Sequence, residues 1–242
     1  MFSIAFLPST IGTDGWRDVR NQALARLRAG VACALLLPSD ITGFSDIPLS
    51  DDEKIRSAGL RDPEGRHNFE SSRRAMRYFL GFESCRTPLP CGPYGKPLAL
   101  PSLPSFSFSR RPGWCLLLFV ERGEVGVDME TLPVPLVTDG VVREVLSSSE
   151  LDWLERQDGN DVEAFLRCWT RKEAILKREG TGLFGNLREV ETDPQMESGG
   201  ILKNYPTTRI WTFRTSTPDA VCTMAVGSYV EDLSVSVFSH PC

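Results

Sequence analysis

The sequence predicts an α+β fold made of two related halves. Segments with helical and strand periodicity follow one another without the regular βαβ order of a doubly wound sheet, which favours the mixed class. A faint repeat indicates the two halves: residues 49–53 (LSDDE) recur as residues 146–150 (LSSSE), and Phe69 or Phe165 follows about twenty residues later. The chain has 242 residues, enough for two domains that each bury a core and that meet near residue 122.

The helices are predicted from apolar periodicity and from the residues at their ends. Both copies of the repeat place a serine three residues before a glutamate, which is the spacing of a capping box at a helix start. A lysine–arginine pair followed by Gly180 marks the end of the last helix. Predicted helices span 17–29, 51–58, 64–81, 139–146, 148–156 and 161–178.

The strands are predicted from alternating or continuous apolar runs between turn residues. Predicted strands span 114–120, 125–130, 187–192, 208–214, 220–230 and 233–238. The turn at 121–124, between the first two strands, predicts a β-hairpin. Segments rich in proline, glycine and serine predict loops over 38–50, 87–112 and around 194–206.

Histidine is scarce, and this disfavours several classes of chemistry. His240 lies two residues from the C-terminus, where chains fray, so His67 is the one plausible catalytic histidine. Histidine-based triads and multi-histidine metal sites are therefore disfavoured, and any chemistry must rest on carboxylates, lysine, arginine, hydroxyls or thiols. Seven cysteines without a C-x-x-C pair are expected to be reduced thiols.

Charge is divided unevenly between the halves. Residues 1–123 carry 16 Lys/Arg and 12 Asp/Glu, a net charge of +4, whereas residues 124–242 carry 11 and 20, a net charge of −9. The basic half can attract phosphates or an acidic partner, and the acidic half argues against a long nucleic-acid binding surface. A chance asymmetry between two solvated faces explains the uneven charge equally well. The apolar runs are too short for a membrane span and the N-terminus does not resemble a secretory signal, so we expect a cytoplasmic protein.

Two carboxylates share one face of a predicted strand. In residues 125–130 (VGVDME), Asp128 and Glu130 alternate with apolar residues, which places them about 7 Å apart on the face that also holds Gly126. Two carboxylates beside a glycine could hold a hard cation such as Mg²⁺. The alternative is a strand with one solvated polar face.

The last predicted helix carries a carboxylate among apolar side chains. Asn160 and Glu163 predict its N-terminal cap. Its apolar stripe consists of Val162, Phe165, Leu166, Trp169 and Leu176. Glu173 falls inside this stripe and Lys177 at its edge, and a carboxylate there costs several kcal/mol unless it is paired or bound to a metal. A surface Glu173–Lys177 pair would explain the spacing but not the placement.

These motifs together resemble the 4′-phosphopantetheinyl transferases, in particular the monomeric, two-lobed type that serves peptide and polyketide synthases. The central motifs are GVDME at 126–130, WTRKEA at 169–174 with Lys177, and GTGL at 180–183. Upstream, the resemblance includes LSDDE at 49–53, the segment 69–81, YGKP at 94–97 and FSFS at 106–109. It covers about 135 residues, from 49 to 183.

The resemblance implies a fold and a reaction. Two similar α+β lobes would be related by a pseudo-two-fold axis with the active site between them: residues 1–122 would supply basic residues that bind coenzyme A, and residues 123–242 the metal carboxylates. The serine hydroxyl of an apo acyl or peptidyl carrier protein would attack the pyrophosphate of coenzyme A, accept the 4′-phosphopantetheine arm and release 3′,5′-ADP. Neither nucleic acid nor a membrane is an implied partner.

The resemblance also implies roles for particular residues. Asp128, Glu130 and Glu173 match the carboxylates that bind Mg²⁺ or Mn²⁺, and Glu173 also matches the base toward the serine. Lys177 would contact the pyrophosphate. The other implied contacts to coenzyme A are Lys96, Ser109 and Arg110, with Arg56, Arg66 and Arg73 as candidates for its 3′-phosphate.

The chain departs from the family pattern at one position. Where the family usually has Phe-Asn-x-Ser-His-Ser, this sequence has FSFSRR at 106–111, so Arg110 replaces the histidine that contacts phosphate. Arginine can hold a phosphate with two parallel hydrogen bonds at every physiological pH, so an active enzyme is expected. The alternative is a non-catalytic relative that binds a carrier protein or coenzyme A.

Overall fold

The computed structural model describes residues 1–7, 12–82, 84, 86–134, 137–157, 162–182 and 186–239. The chain divides into two compact units. Unit 1 consists of Met1–Cys91, Pro97–Arg122 and the segment that begins at Asp232; unit 2 consists of Gly92–Lys96 and Gly123–Glu231. The chain thus passes from unit 1 to unit 2 between Arg122 and Gly123, and its last strand returns to unit 1.

Unit 1 is built on a five-stranded mixed sheet. Its strands are β1 (Phe2–Leu7), β2 (Ala32–Pro38), β3 (Ser105–Arg111), β4 (Trp114–Val120) and, near the C-terminus, the strand Leu233–Phe238. The last of these lies between β1 and β2 and is parallel to both, while β2, β4 and β3 follow in antiparallel order. Every residue of β2 and β4 is buried, because central strands are covered on both faces.

Three helices belong to unit 1: α1 (Thr13–Arg28), α2 (Asp51–Ala58) and α3 (Pro63–Phe79). The α3 helix begins with Asp62 as its cap and packs against α2, β3 and β4. The core on this side of the sheet is aromatic: Trp16 lies 4.9 Å, centroid to centroid, from both Phe44 and Phe238. The burial of these large rings supplies much of the apolar surface that stabilises the unit.

Unit 2 contains an antiparallel sheet of four strands in the order β5-β8-β7-β6 and three helices. The elements in chain order are β5 (Gly126–Thr131), α4 (Asp139–Val145), α5 (Ser148–Glu155), α6 (Val162–Glu179), β6 (Gly200–Leu202), β7 (Tyr205–Ser216) and β8 (Asp219–Gly227). The strand Leu233–Phe238 that returns to unit 1 is therefore β9. The α6 helix packs across β5 and β8, and its buried positions, among them Phe165 and Ile175, form the core beneath it.

The α+β class is confirmed, as are all six predicted helices to within a few residues. Both predicted capping boxes are present, with Ser50–Glu53 at α2 and Ser147–Glu150 at α5. The cap predicted at Asn160 lies outside the described residues. The pseudo-two-fold relation between the lobes stays a prediction.

Several strand predictions were wrong. The hairpin predicted around 121–124 does not form, because β4 and β5 belong to different sheets. The predicted strand 187–192 contains a 3₁₀ turn at Leu187–Glu189. Strands β3 and β6 lie inside segments predicted as loops, and β1 and β2 were not predicted. Residues in these strands are held by partners far along the chain, which local composition does not reveal.

No helix in the described part of the chain is long and apolar enough to cross a membrane. Five described cysteines are free thiols, and four of them are buried: Cys33, Cys115, Cys168 and Cys222. Burial raises the pKa of the Cys33, Cys115 and Cys168 thiols to about 12, so these groups stay protonated and unreactive at neutral pH.

Candidate active site

Strand β5 and helix α6 approach each other closely at Gly126. A Cβ atom at this position would lie 1.9 Å from the carbonyl oxygen of Ala174 and 2.4 Å from the backbone nitrogen of Arg178. Only glycine therefore allows the helix backbone to rest directly on the strand. Asp128 and Glu130 lie on the same face of β5 as Gly126, so both carboxylates are directed toward α6.

Two polar contacts join the carboxylates of β5 to α6. The Lys177 ammonium donates a hydrogen bond to Asp128 Oδ1 at 2.6 Å, and the Trp169 indole donates one to Glu130 Oε1 at 2.7 Å. Asp128 is almost fully buried, at 1% exposure, while Lys177 keeps 29% of its side chain exposed. A buried carboxylate requires such a cation to offset the loss of hydration.

Glu173 lies between these two contacts on the helix. It is four residues after Trp169 and four before Lys177, so all three side chains follow one face of α6. All three are only partly buried, in contrast to the buried residues around them. The structure thus brings Asp128, Glu130, Glu173 and Lys177, the predicted metal ligands and the predicted lysine, to one strand–helix pair.

The oxygen donors fit a hard cation in kind. Mg²⁺ and Mn²⁺ prefer carboxylate oxygens and water, and β5 and α6 together supply three carboxylates without histidine or cysteine. As the side chains stand, the described residues contain no cluster of three Asp, Glu, His or Cys side chains close enough to hold a metal. The ammonium of Lys177 is the cation that Asp128 contacts in this structure.

Three of the predicted coenzyme A residues meet around two aromatic rings in unit 1. The guanidinium of Arg73 lies 5.3 Å from the Phe69 ring centroid and 4.5 Å from that of Phe108. Arg110 lies 4.9 Å and Arg56 5.8 Å from the Phe69 centroid. We call these five residues the arginine–phenylalanine cluster.

The arginine–phenylalanine cluster concentrates positive charge in a partly desolvated place. Burial lowers the pKa of Arg73 to about 10; Glu53 opposes this effect, and the neighbouring charges of Arg110 and Arg56 add to it. Burial also lowers the pKa of Arg110. Arg73 is 6% exposed, and its buried Nε has no hydrogen-bond partner among the described residues. Three arginines grouped around one ring, with one of them buried, are an arrangement expected of an anion-binding site.

The other predicted coenzyme A residues are distributed differently. Ser109 is buried on β3, next to Arg110 in sequence. Arg66 is exposed, donates to the Leu60 carbonyl at 2.8 Å and lines a different cavity from Arg110. Lys96 belongs to unit 2, where its ammonium donates to the carbonyl oxygens of Val125 and Arg178. The structure therefore does not place Arg66 in the arginine–phenylalanine cluster.

Sequence reasoning missed the ion pairs that hold each capping-box helix. The Arg77 guanidinium donates to Glu53 at 2.8 Å, and the Lys172 ammonium to Glu150 at 2.6 Å. Lys172 also donates to the carbonyl oxygens of Leu187 and Val190. The signal was present in the sequence, since each capping-box glutamate is followed by a cation on the next helix, but Lys172 stands beside Glu173 and was overlooked.

The contact between Trp169 and Glu130 was also missed. Apolar periodicity places Trp169 in the apolar stripe of its helix, and this pattern does not reveal that its indole N–H is a donor. A tryptophan that is only half-buried commonly uses this group.

Comparison with known proteins supports the resemblance. Residues 124–226 match the family model of the 4′-phosphopantetheinyl transferase superfamily. The chain is 28% identical over 160 residues to the 4′-phosphopantetheinyl transferase Sfp of Bacillus subtilis, which covers 58% of this chain and 69% of Sfp. It is 26% identical over 187 residues to the transferase HetI of Nostoc sp., which covers 74% of this chain and 77% of HetI.

A third relative is the 4′-phosphopantetheinyl transferase AcpT of Escherichia coli, which is 32% identical over 131 residues; the match covers 50% of this chain and 64% of AcpT. The matched region 124–226 contains β5 and α6 with their carboxylates and Lys177. The chain is therefore similar, over the region that contains β5 and α6, to the 4′-phosphopantetheinyl transferase superfamily.

Proposed function

We propose that this protein transfers the 4′-phosphopantetheine arm of coenzyme A to a serine of an apo acyl or peptidyl carrier protein. The serine Oγ forms a bond to the pantetheine-side phosphorus, the bond from that phosphorus to the bridging oxygen breaks, and 3′,5′-ADP leaves with the bridging oxygen. The observation that carries the proposal is the β5–α6 pair, in which Asp128 and Lys177 are in contact within the region that matches the family.

Asp128, Glu130 and Glu173 would hold Mg²⁺, or Mn²⁺, in this proposal. The bound ion would neutralise charge that develops on the pyrophosphate. The oxygen-only donor set supports the assignment.

Lys177 and Glu173 have complementary tasks in the proposed reaction. Lys177 is partly exposed, so its ammonium can reach a pyrophosphate oxygen while it stays next to the Asp128 carboxylate. Glu173, one helical turn away, would accept the proton of the serine hydroxyl, directly or through a water molecule. Both side chains lie on the half-exposed face of α6, where a substrate can reach them.

The arginine–phenylalanine cluster would bind a phosphate of coenzyme A, with Ser109 beside it. Arg73 supports this assignment through its buried Nε and its position between Phe69 and Phe108. Arg110 would take over the phosphate contact that a histidine makes in the family pattern, and it would stay charged across the physiological pH range. Arg66, which lies outside the cluster, is the weakest of these candidates. We propose a cytoplasmic monomer, in which the free buried thiols stay reduced.

The test is transfer to a carrier protein measured by mass spectrometry. The protein is incubated with coenzyme A, Mg²⁺ and each of several apo carriers, and we expect the carrier mass to increase by the mass of the arm. A carrier with its acceptor serine changed to alanine is the matched control. If no apo carrier gains mass while the protein is folded and binds coenzyme A, the protein is a non-catalytic binding module and the proposal is wrong.

A further inference from the structure

Residues Gly92–Lys96 form a tight turn that belongs to unit 2. The backbone nitrogen of Gly92 donates to the Lys96 carbonyl at 2.8 Å, and that of Gly95 donates to the Gly92 carbonyl at 2.9 Å. Gly95 has a φ of 79°, which a residue with a side chain adopts only with strain. The turn therefore presents Lys96 at a fixed place beside β5 and α6.

The Lys96 ammonium is bound to the backbone of both elements. It donates to the carbonyl oxygen of Val125 at 2.9 Å and to that of Arg178 at 3.1 Å. Val125 is 1% exposed and directly precedes β5. Arg178 lies in the last turn of α6. The carbonyl oxygens of a last helical turn have no N–H donor within the helix, and the helix dipole favours a cation beside them. Lys96 thus donates to one carbonyl oxygen at the start of β5 and to another at the end of α6.

The two carbonyls stand next to the residues of the proposed reaction. Val125 precedes Gly126, the glycine on which α6 rests, and Arg178 follows Lys177. The stem of Lys96 also lies against the helix end, since its Cδ would be 3.6 Å from a Cβ placed on Gly180. A link between the start of β5 and the end of α6 fixes how far the strand can slide along the helix. It therefore fixes the 2.6 Å contact between Asp128 and Lys177.

We infer that Lys96 is a positioning residue: its ammonium ties β5 to α6 and so holds Asp128 and Lys177 in register. The inference rests on the proposed function, because the alignment of Asp128 with Lys177 matters for catalysis only if these two residues carry out the proposed reaction. The geometry supports it, because both hydrogen bonds of the Lys96 ammonium point to backbone carbonyls. Burial lowers the pKa of Lys96 to about 8, partly offset by Glu124, and even a neutral amine keeps two N–H groups for the two carbonyls.

The test compares Lys96→Met with Lys203→Met, which removes an exposed ammonium from the same unit. Methionine keeps an unbranched stem of similar length but has no donor. The first measurement is hydrogen exchange of the amides of Gly180 and Thr181, which donate to the Leu176 carbonyl at the end of α6. We expect exchange about tenfold faster in Lys96→Met and unchanged exchange in Lys203→Met.

The second measurement separates positioning from binding. We expect kcat of Lys96→Met to fall about tenfold while KM for coenzyme A changes less than about twofold. A raised KM with an unchanged kcat would show that Lys96 contacts coenzyme A, and unchanged exchange would show that it does not hold the helix end; either result overturns the inference. If Lys96→Met does not fold, Lys96→Gln, which keeps donors on a shorter stem, is measured in the same way.

The exchange measurement needs no carrier protein. If the wild-type chain transfers no arm to any carrier, the proposed function fails, and the exchange rates still decide whether Lys96 ties β5 to α6. If transfer occurs but kcat of Lys96→Met equals that of the wild type, the proposed function stands and the positioning role is wrong.

Discussion

The two units use the same device to hold a short helix on a long one, and they differ in what stands beside it. In unit 1, the capping-box glutamate Glu53 accepts from Arg77 of α3; in unit 2, Glu150 accepts from Lys172 of α6. Next to Arg77, one turn earlier, α3 carries Arg73 in the arginine–phenylalanine cluster. Next to Lys172, α6 carries Glu173. The ion pair holds the two helices together in each unit, and the long helix carries a cation one turn before that pair in unit 1 and a carboxylate directly after it in unit 2.

The two ion pairs also differ in burial. The Lys172 and Glu150 side chains are both fully buried, whereas Glu53 keeps 12% of its side chain exposed. Glu150 additionally accepts from the backbone and hydroxyl of Thr192. Loss of one partner therefore leaves a more completely desolvated charge in unit 2 than in unit 1.

The largest expected effect concerns the anionic side of the comparison. Asp128→Ala and Glu173→Ala should each lower the rate of arm transfer about 10³-fold, because they remove carboxylates proposed to hold the metal and to accept the proton. Initial rates by mass spectrometry measure this, and thermal unfolding should show little loss of folding. Asp152→Ala, at an exposed position of α5, is the matched control. Near-normal transfer by either active-site variant would mean that the metal site is misplaced.

The next effect tests whether the two ion pairs are equivalent. Lys172→Met should lower the free energy of unfolding by about 3–5 kcal/mol, since it strands the buried Glu150 carboxylate. Arg77→Met should cost less, because water can reach Glu53. Urea unfolding of both variants measures the difference. If both variants lose the same free energy of unfolding, the difference in burial between the two ion pairs does not affect their contribution to stability.

A smaller effect concerns the cationic side. In Arg110→His, the affinity for 3′,5′-ADP should fall about tenfold between pH 6 and pH 8, because histidine, with an ordinary pKa near 6.5, loses its charge as the pH rises. The expected fall is measured relative to the wild type, because the ligand phosphates also ionise in this range while Arg110 stays charged despite the burial that lowers its pKa. Calorimetric titration at the two pH values measures this. If the ratio of wild-type to Arg110→His affinity is the same at both pH values, the phosphate does not contact residue 110.

The smallest effect is a pH dependence of stability from Lys96. Its pKa is lowered to about 8 in the folded chain from an ordinary 10.5, so between these values the unfolded chain binds more protons. The free energy of unfolding therefore rises with pH in this window. Because Lys96 is only partly buried, the rise should be modest, and it should be missing in Lys96→Met. Urea unfolding at pH 7.5 and pH 9.5 compares the two chains; identical slopes would contradict the lowered pKa.

Local signals explain which parts of the fold the sequence predicted. The helix starts at Ser50 and Ser147 depend on contacts three residues away, so they can be seen in the sequence. Strand β3 could not be predicted, because its serines are typical of a loop and its extended conformation depends on pairing with β4. The partner of β5 is β8, about ninety residues later, whereas the local turn signal predicts the adjacent β4.

The sequence predicts which residues belong to the candidate site but not how their side chains contact one another. The strand period of two places Asp128 and Glu130 on one face of β5, and the helical period of 3.6 places Glu173 and Lys177 on one face of α6. The Lys177–Asp128 and Trp169–Glu130 contacts could not be chosen, since they depend on how α6 crosses β5. The hydrogen bonds from Lys96 could not be predicted either, because their acceptors are backbone carbonyl oxygens, which every residue has.

The position of β9 determines the order in which the chain can be completed during synthesis. Strand β1, which is synthesised before the other described strands, lies at the sheet edge with β9 as its neighbour, and their pairing joins residues more than two hundred positions apart. The unit 2 sheet needs nothing beyond β8. Unit 2 can therefore reach its final form while the N-terminal strand still waits for a partner, and chaperones have their longest opportunity to bind the apolar segment Phe2–Leu7.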